Sequence, residues 1–183
     1  MLKALGRYVH AWCQDVKGLA AAEFALIFPL LFTLFIGVYE LGNGVLINQK
    51  VIASSQMVAD LLTRVRTVTD DQLEEAVMAG QLALNPYDTG DLGFDIVSLR
   101  FDAEGDPEIV WRETRNMDPI VDIEERVEDI AVAGDGIFIV SVKYPYQPVF
   151  SGFVIDEINM IEMAFAHGRR QPVVCREPDD DCV

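Results

Sequence analysis

Positive charge is scarce in this sequence. The 183 residues include 14 lysines and arginines against 30 aspartates and glutamates, which gives a formal net charge of −16 at pH 7. Such an acidic balance argues against nucleic acid as a partner, and equally against a polybasic membrane-surface binder. The length fits one domain plus an anchor and leaves no room for two ordinary domains.

Histidines are also few, and the common catalytic motifs are absent. The two histidines are His10 and His167, and there is no phosphate-binding loop, no G-x-S-x-G elbow and no H-E-x-x-H motif. We expect His167 to lie on the surface, and the acidic stretch 102–108 to form a solvated turn, because Gly105 does not occupy the sixth place of an EF-hand loop. Trp111 and the Tyr144–Tyr146 aromatics are expected to pack on a sheet. We therefore predict no enzymatic activity, no metal site and no cofactor.

Charge and hydrophobicity change abruptly at Gly18. Residues 1–18 carry a net charge of +2, so the rest of the chain sums to −18. The segment Leu19–Tyr39 is apolar apart from Glu23, and about 20 residues of helix, roughly 30 Å, span a bilayer core. So small a protein could hardly bury a helix that is apolar on all sides. Because the basic residues precede this segment, the positive-inside rule keeps the N-terminus cytoplasmic.

Two residues of the membrane segment are energetically unfavourable in a membrane helix. Pro29 removes a backbone donor and would kink the helix, although a membrane helix can re-satisfy the freed carbonyl locally. Glu23 at the edge of the hydrocarbon costs on the order of a few kcal/mol unless it is protonated or paired. Two interpretations stay open: Glu23 snorkels to the interface, or it has a specific cationic partner.

The region around Gly18 resembles the TadE-like pseudopilins, minor components of the Tad/Flp (tight-adherence) pilus system, a branch of the type IV pilus machinery. The resemblance is carried by the basic leader, by Gly18 followed by LAAAEFAL, and by the apolar run that ends at Glu40-Leu41-Gly42. A later segment, Tyr144-Pro145-Tyr146-Gln147-Pro148, also resembles a YPY-type segment of the family. Major Flp pilins are far shorter than this chain, which favours a minor pseudopilin. The related TadF and TadG proteins share the anchor style, so the subtype stays open.

The resemblance implies a processed pilus component. A prepilin peptidase would cut after Gly18, so that the mature chain begins at Leu19, and Glu23 and Phe24 would serve assembly. The amine of Leu19 in one subunit would neutralise Glu23 of a neighbour, because a paired charge is tolerated in apolar surroundings where an isolated one is not. The implied partners are other pilins and pseudopilins, Tad pilus assembly proteins, the peptidase and the membrane.

The predicted organisation follows from this resemblance. Residues 1–18 form a leader that is removed, 19–41 a transmembrane helix in the bacterial inner membrane, and 42–183 a periplasmic domain that is inserted into a pilus fibre or lies beneath it. The protein would be a structural or assembly component of the pilus. The alternative is an unprocessed, single-pass membrane-anchored module that binds a periplasmic partner.

One cysteine, Cys13, lies in the basic leader, and the other two, Cys175 and Cys182, lie in the C-terminal tail. Loss of the leader would discard Cys13 and leave Cys175 and Cys182 as an even pair in an oxidising periplasm. The residues between them are polar and include a proline, which suits a tight surface loop. We predict a Cys175–Cys182 disulfide, and two independent thiols on a frayed tail stay open as the alternative.

The spacing of apolar residues beyond the membrane segment predicts an α+β domain. The first helix is expected to run from about Ala20 to Arg66, with Val51, Val58, Leu62 and Val65 on its apolar face. Thr69 is expected to cap a second helix over Asp70–Leu84. A further helix is predicted over Ile120–Ala131, with Ile123, Val127 and Ile130 on one face and the acids on the other. Alternating apolar runs predict strands at Phe94–Phe101, Glu108–Thr114, Phe138–Tyr146 and Ile158–His167. The expected fold is a long N-terminal transmembrane helix that continues into a small domain with an antiparallel β-sheet.

Overall fold

The apolar N-terminal run forms one long helix, α1 (Leu19–Leu62). The computed structural model describes residues 18–130, 132–150, 157–178 and 182, so the predicted leader lies outside the described residues apart from Gly18. Helix α1 includes Pro29, and Thr33 Oγ1 donates a 2.8 Å hydrogen bond to the Pro29 carbonyl. The helix ends earlier than predicted, because Thr67–Val68 pairs as a short strand, β1.

The chain divides into two compact units after Gly42. In the first unit nearly all side chains of residues 19–42 are exposed. Within the described part of the chain, α1 is the one helix long and apolar enough to cross a membrane, judged by length and composition, and its most apolar stretch is not buried. The segment therefore has the length and composition of the predicted membrane anchor.

The second unit is built on a four-stranded antiparallel sheet with the order β3-β2-β4-β5. The strands lie close to their predicted positions, at β2 (Gly93–Phe101), β3 (Pro107–Arg115), β4 (Gly136–Tyr146) and β5 (Ile158–Ala166). In the β2–β3 turn, the Asp102 carboxylate accepts hydrogen bonds from the backbone N–H groups of Glu104 (2.9 Å) and Asp106 (2.8 Å). The predicted fold class, a long apolar helix followed by a small α+β domain, is confirmed.

One face of the sheet packs against the two helices. The second helix, α2 (Asp70–Ala83), begins at Thr69, which forms a capping box with Gln72, so the predicted cap is confirmed. The buried residues of this main core come mainly from both helices and the two central strands, and they include Ile47, Val51, Val58, Leu62, Leu73, Val77, Phe94, Ile96, Phe138, Val140 and Val142. The predicted apolar face of α1 therefore faces the core.

Gly80 lies where α2 packs closely on α1. A Cβ atom added at Gly80 would lie 2.7 Å from Val58 Cγ2 and 3.1 Å from Phe94 Cε1. The close approach also lets the buried Ser54 hydroxyl donate a 2.8 Å hydrogen bond to the Gly80 carbonyl. Only glycine fits here without moving buried side chains.

The predicted helix over Ile120–Ala131 is wrong. Residues 121–127 form turns, followed by a short 3-10 helix over Glu128–Ile130, and Ala131 lies outside the described residues. Asp122 has a φ of +57°, which an α-helix does not accommodate. The segment instead covers the second face of the sheet, where Ile123 and Val127 are buried as predicted among apolar side chains that include Val97, Leu99 and Ile139. Ile130, expected on the same face, is 52% exposed.

The C-terminal segment returns to the end of α1. Strand β6 (Cys175–Arg176) pairs in parallel with β1, and the Cys175 N–H donates a 2.9 Å hydrogen bond to the Arg66 carbonyl. Two-residue strands leave no periodic pattern, so this ladder was not predicted from the sequence.

Candidate functional site

The predicted processing and assembly residues lie at the start of α1. Gly18 is exposed immediately before the helix, and a Cβ atom added to it would meet nothing within 4 Å. Leu19 is 61% exposed and Phe24 60% exposed, and Glu23 is exposed as well. Residues four apart on a helix share a face, so Leu19 and Glu23 lie on one side of α1. The backbone at the predicted cut and the predicted assembly carboxylate are both open to a partner.

An aromatic row continues from Phe24 along α1. The ring centroids of Phe24 and Phe28 are 5.3 Å apart, and those of Phe28 and Phe32 are 5.6 Å apart. The three side chains are about half exposed. Sequence reasoning missed this row, although the spacing of four residues could have revealed it. The row gives the anchor an apolar face suited to lipid or to another helix.

Cys175 and Cys182 are joined in a disulfide, with their Cα atoms 5.6 Å apart. Both cysteines are buried and pack together with Val173, and Val110 of β3 packs against this cluster. Residues 179–181 of the predicted surface loop lie outside the described residues. The bridge therefore lies beside one edge strand of the sheet.

Arg176 holds the same tail against α2 and β3. Its guanidinium is 2.9 Å from Glu113 Oε2 and 3.0 Å from Asp70 Oδ1, and it lies 5.7 Å from the centroid of the Trp111 ring. The hydrogen bond to Glu113 raises the pKa of Arg176; the Asp70 carboxylate adds to this, and burial opposes it. The Trp111 indole donates a 2.6 Å hydrogen bond to the Val174 carbonyl. These contacts give the tail a structural role.

A buried ion pair lies on the second face of the sheet. Asp95 is fully buried, and Arg112 binds it through Nε–Oδ1 (2.8 Å) and Nη2–Oδ2 (2.5 Å). The Ile120 N–H donates to Asp95 at 2.9 Å, and the Ile120 carbonyl accepts from Arg112 at 2.8 Å. Because both charges are paired and hydrogen-bonded, this group ties the segment after β3 to the sheet. Sequence reasoning missed it, because an acid within an alternating strand is typical of a solvated face.

The predicted surface histidine and acidic turn provide no metal centre. The His167 side chain is 63% exposed, and its Nδ1 lies 2.9 Å from the Gly136 carbonyl oxygen. The carboxylate of Asp102 is engaged by backbone N–H groups of its own turn. Across the described ranges, no group of three or more His, Cys, Asp or Glu side chains is placed to hold a metal ion.

The YPY-type segment lines a cavity of about 300 Å³ in the second unit. Its wall contains three tyrosines and three acids, namely Tyr87, Tyr144, Tyr146, Asp88, Asp91 and Glu157. The Tyr87 hydroxyl donates a 3.2 Å hydrogen bond to Asn43 Oδ1. Burial raises the pKa of Tyr144, and the nearby Asp88 and Tyr87 raise it further. Tyr146 is buried in the core as expected of a sheet aromatic, whereas the cavity itself was not predicted.

Comparison with known proteins identifies the N-terminal part of the chain. The family model described as TadE-like protein matches residues 18–60. The matched range contains Gly18, Leu19, Glu23 and Phe24 and nearly all of α1, and it ends before the sheet begins. The predicted resemblance is confirmed over these residues, and the match supports a component associated with the Tad pilus. No curated protein and no solved structure was found to match the chain.

Proposed function

We propose that this protein is a minor pseudopilin, a structural and assembly component of the Tad pilus. The observation that carries the proposal is the position of the Gly18–Glu23–Phe24 motif. It lies within the TadE-like match, at the first turns of an apolar helix whose side chains are exposed. The role is one of assembly through this helix rather than of catalysis.

The anchor lies in the bacterial inner membrane, with the N-terminus cytoplasmic and the domain in the periplasm. The exposed apolar side chains of residues 19–41 support this arrangement, because lipid or neighbouring helices must cover them. The step from a net charge of +2 in residues 1–18 to −18 in the rest of the chain supports the orientation.

Cleavage after Gly18 creates a free α-amino group, which can pair with a Glu23 carboxylate. The new α-amino group of Leu19 lies about one helical turn from the Glu23 carboxylate of the same chain. In an assembly of parallel helices it pairs with the Glu23 carboxylate of a neighbouring subunit. The pairing offsets the cost of a carboxylate in apolar surroundings, and it favours the assembled state over a lone anchor.

We predict that the mature chain begins at Leu19. Intact-mass analysis of protein extracted from membranes should show the loss of residues 1–18, and only in cells that contain the prepilin peptidase. Gly18→Leu should block the cut, because the peptidase must approach this backbone closely. A Cβ atom added at Gly18 meets no atom of the protein itself within 4 Å, so we expect a block to report on the peptidase and not on folding.

Gly37→Leu is the matched control for this experiment. Gly37 also lies on α1, and a Cβ atom there likewise meets nothing within 4 Å, but it is far from the cut. This variant should be processed like the natural chain. Retention of residues 1–18 in cells that assemble pili would refute the proposal and favour the unprocessed membrane-anchored module.

A further inference from the structure

The tyrosine-lined cavity plays no part in the proposed role of α1 in assembly. Its aromatic wall is built from two distant parts of the chain: Tyr87 follows α2, whereas Tyr144 and Tyr146 end strand β4. A volume of about 300 Å³ is at the small end of ligand sites and has room for one long side chain. Aromatic rings attract cations through their quadrupole, most strongly where water is partly excluded.

The charges around this cavity favour a cationic occupant. Asp88, Asp91 and Glu157 line it and are exposed. In the part of the chain that the structure describes, no salt bridge involves these three carboxylates. Asp88 is engaged by its own turn, where its Oδ1 accepts a hydrogen bond from the Gly90 N–H at 3.1 Å. The wall therefore combines aromatic rings with negative charge that a cation would compensate.

The cavity continues into a second one. This neighbour, of about 510 Å³, shares Asp91, Pro145 and Glu157 with the first and is also lined by Lys143. The two cavities meet at these three residues, and we call the joined space the groove. Lys143 lines the second cavity and not the first. Because its positive charge repels a basic side chain, a lysine or arginine of the occupant is favoured in the first cavity, beside the tyrosines.

We propose that this groove binds an extended segment of a partner protein, with a lysine or arginine side chain of that segment in the tyrosine-lined cavity. The acidic balance of the chain after Gly18 favours a basic partner over an anionic lipid surface. The proposal does not depend on processing at Gly18. A test with purified protein therefore succeeds or fails separately from the pseudopilin function.

The test uses the full-length protein in neutral detergent and two fluorescent peptides, tetralysine and tetraglutamine, at physiological ionic strength. Tetralysine should bind, as measured by fluorescence anisotropy, and tetraglutamine should not. The triple variant Asp88→Asn, Asp91→Asn, Glu157→Gln should weaken tetralysine binding about tenfold, the combined effect of three partly exposed ion pairs. Asparagine at position 88 keeps an acceptor for the Gly90 N–H.

A matched triple variant controls for net charge. Glu75→Gln, Glu104→Gln and Glu125→Gln remove the same charge from exposed positions that do not line either cavity, and should change the affinity by less than about twofold. Equal weakening by the two triple variants, or no binding of tetralysine at millimolar concentration, overturns the proposal.

The aromatic wall is tested separately. Tyr87→Phe keeps the ring and loses the hydrogen bond to Asn43, so it should leave tetralysine binding nearly unchanged. Tyr87→Leu removes the ring and should weaken binding about threefold, as expected for one partly exposed cation–π contact. Both variants lose the same hydrogen bond, so a difference between them reports on the ring. Equal affinity of the two variants would contradict the aromatic part of the proposal.

Discussion

Glu23 is the residue whose position is hardest to explain for a lone membrane helix. It is exposed on the first turns of α1, four residues after Leu19 and next to the aromatic row that Phe24 begins. A carboxylate at the edge of the hydrocarbon costs a few kcal/mol when unpaired. We propose that a neighbour's Leu19 amine removes this cost during assembly, whereas a snorkelling side chain would need no partner.

We predict that Glu23→Ala leaves the anchor in the membrane and leaves cleavage intact, but reduces pilus formation by about an order of magnitude or more. The substitution removes a costly charge from the single subunit and deletes the partner of the Leu19 amine. Glu40→Ala serves as the control, because it removes a carboxylate from the other end of the same segment. Pilus yield after shearing, together with membrane-fraction immunoblots, measures both effects. Normal piliation of Glu23→Ala would favour snorkelling.

The contact between α1 and α2 depends on one small residue. The apolar spacing predicts both helices and the face of α1 that is buried, and Thr69 predicts the start of α2. The close packing at Gly80 is not visible in that pattern, since a glycine within a helix usually signals only reduced helix stability. Its role depends on Val58 and Phe94, which come from α1 and the sheet.

We predict that Gly80→Ala destabilises the domain by about 1–3 kcal/mol, because the added methyl group overpacks the α1–α2 contact. Helix propensity alone would make alanine the more stable residue by up to about 1 kcal/mol. Gly44→Ala is the control: its Cβ would lie 3.8 Å from the Tyr146 ring, an ordinary contact, so this variant should be as stable as the natural chain or slightly more stable. Denaturant unfolding followed by circular dichroism compares the two. Equal stability of both variants would contradict the packing argument.

The elements that sequence predicts well are those whose pattern is local. Alternation along Phe138, Val140 and Val142 predicts strand β4, although residues 136–142 are buried on both faces of the sheet. The segment after Ile120 has helical spacing at Ile123 and Val127, yet tertiary contacts hold it as turns. The Asp95–Arg112 pair and the Ile120 backbone supply those contacts, and none of them leaves a periodic signal. The cavity at Tyr144 likewise joins residues distant in sequence.

At the scale of the whole molecule, the family match and the sheet lie on different parts of the chain. The matched residues 18–60 hold the motif, the membrane anchor and most of the helix that enters the core of the second unit. The sheet and its C-terminal tail lie outside the match. The family resemblance therefore rests on the helix alone, and we propose that the domain adapts the chain to a particular place and partner in the pilus system.

The oxidation state of the C-terminal cysteines reports on the location of the whole domain. We predict that Cys175 and Cys182 are linked in protein taken from membranes, because disulfides persist in the periplasm and not in the cytoplasm. Closing so short a loop restricts the unfolded chain by roughly 2–3 kcal/mol, and the bridge lies beside β3 together with the contacts of Arg176. Its loss should therefore leave the sheet folded, because the contacts of Arg176 still hold the tail.

Non-reducing peptide mapping of the membrane fraction measures this directly, and a linked peptide containing Cys175 and Cys182 is the expected result. Cys13 provides an internal control, because a chain that retains its leader keeps this cysteine on the cytoplasmic side, where it should react with an alkylating reagent after lysis. The variant Cys175→Ser, Cys182→Ser should lose no more than about 2–3 kcal/mol of unfolding free energy. Complete alkylation of both C-terminal cysteines in native protein would contradict the disulfide, and with it the export of the domain.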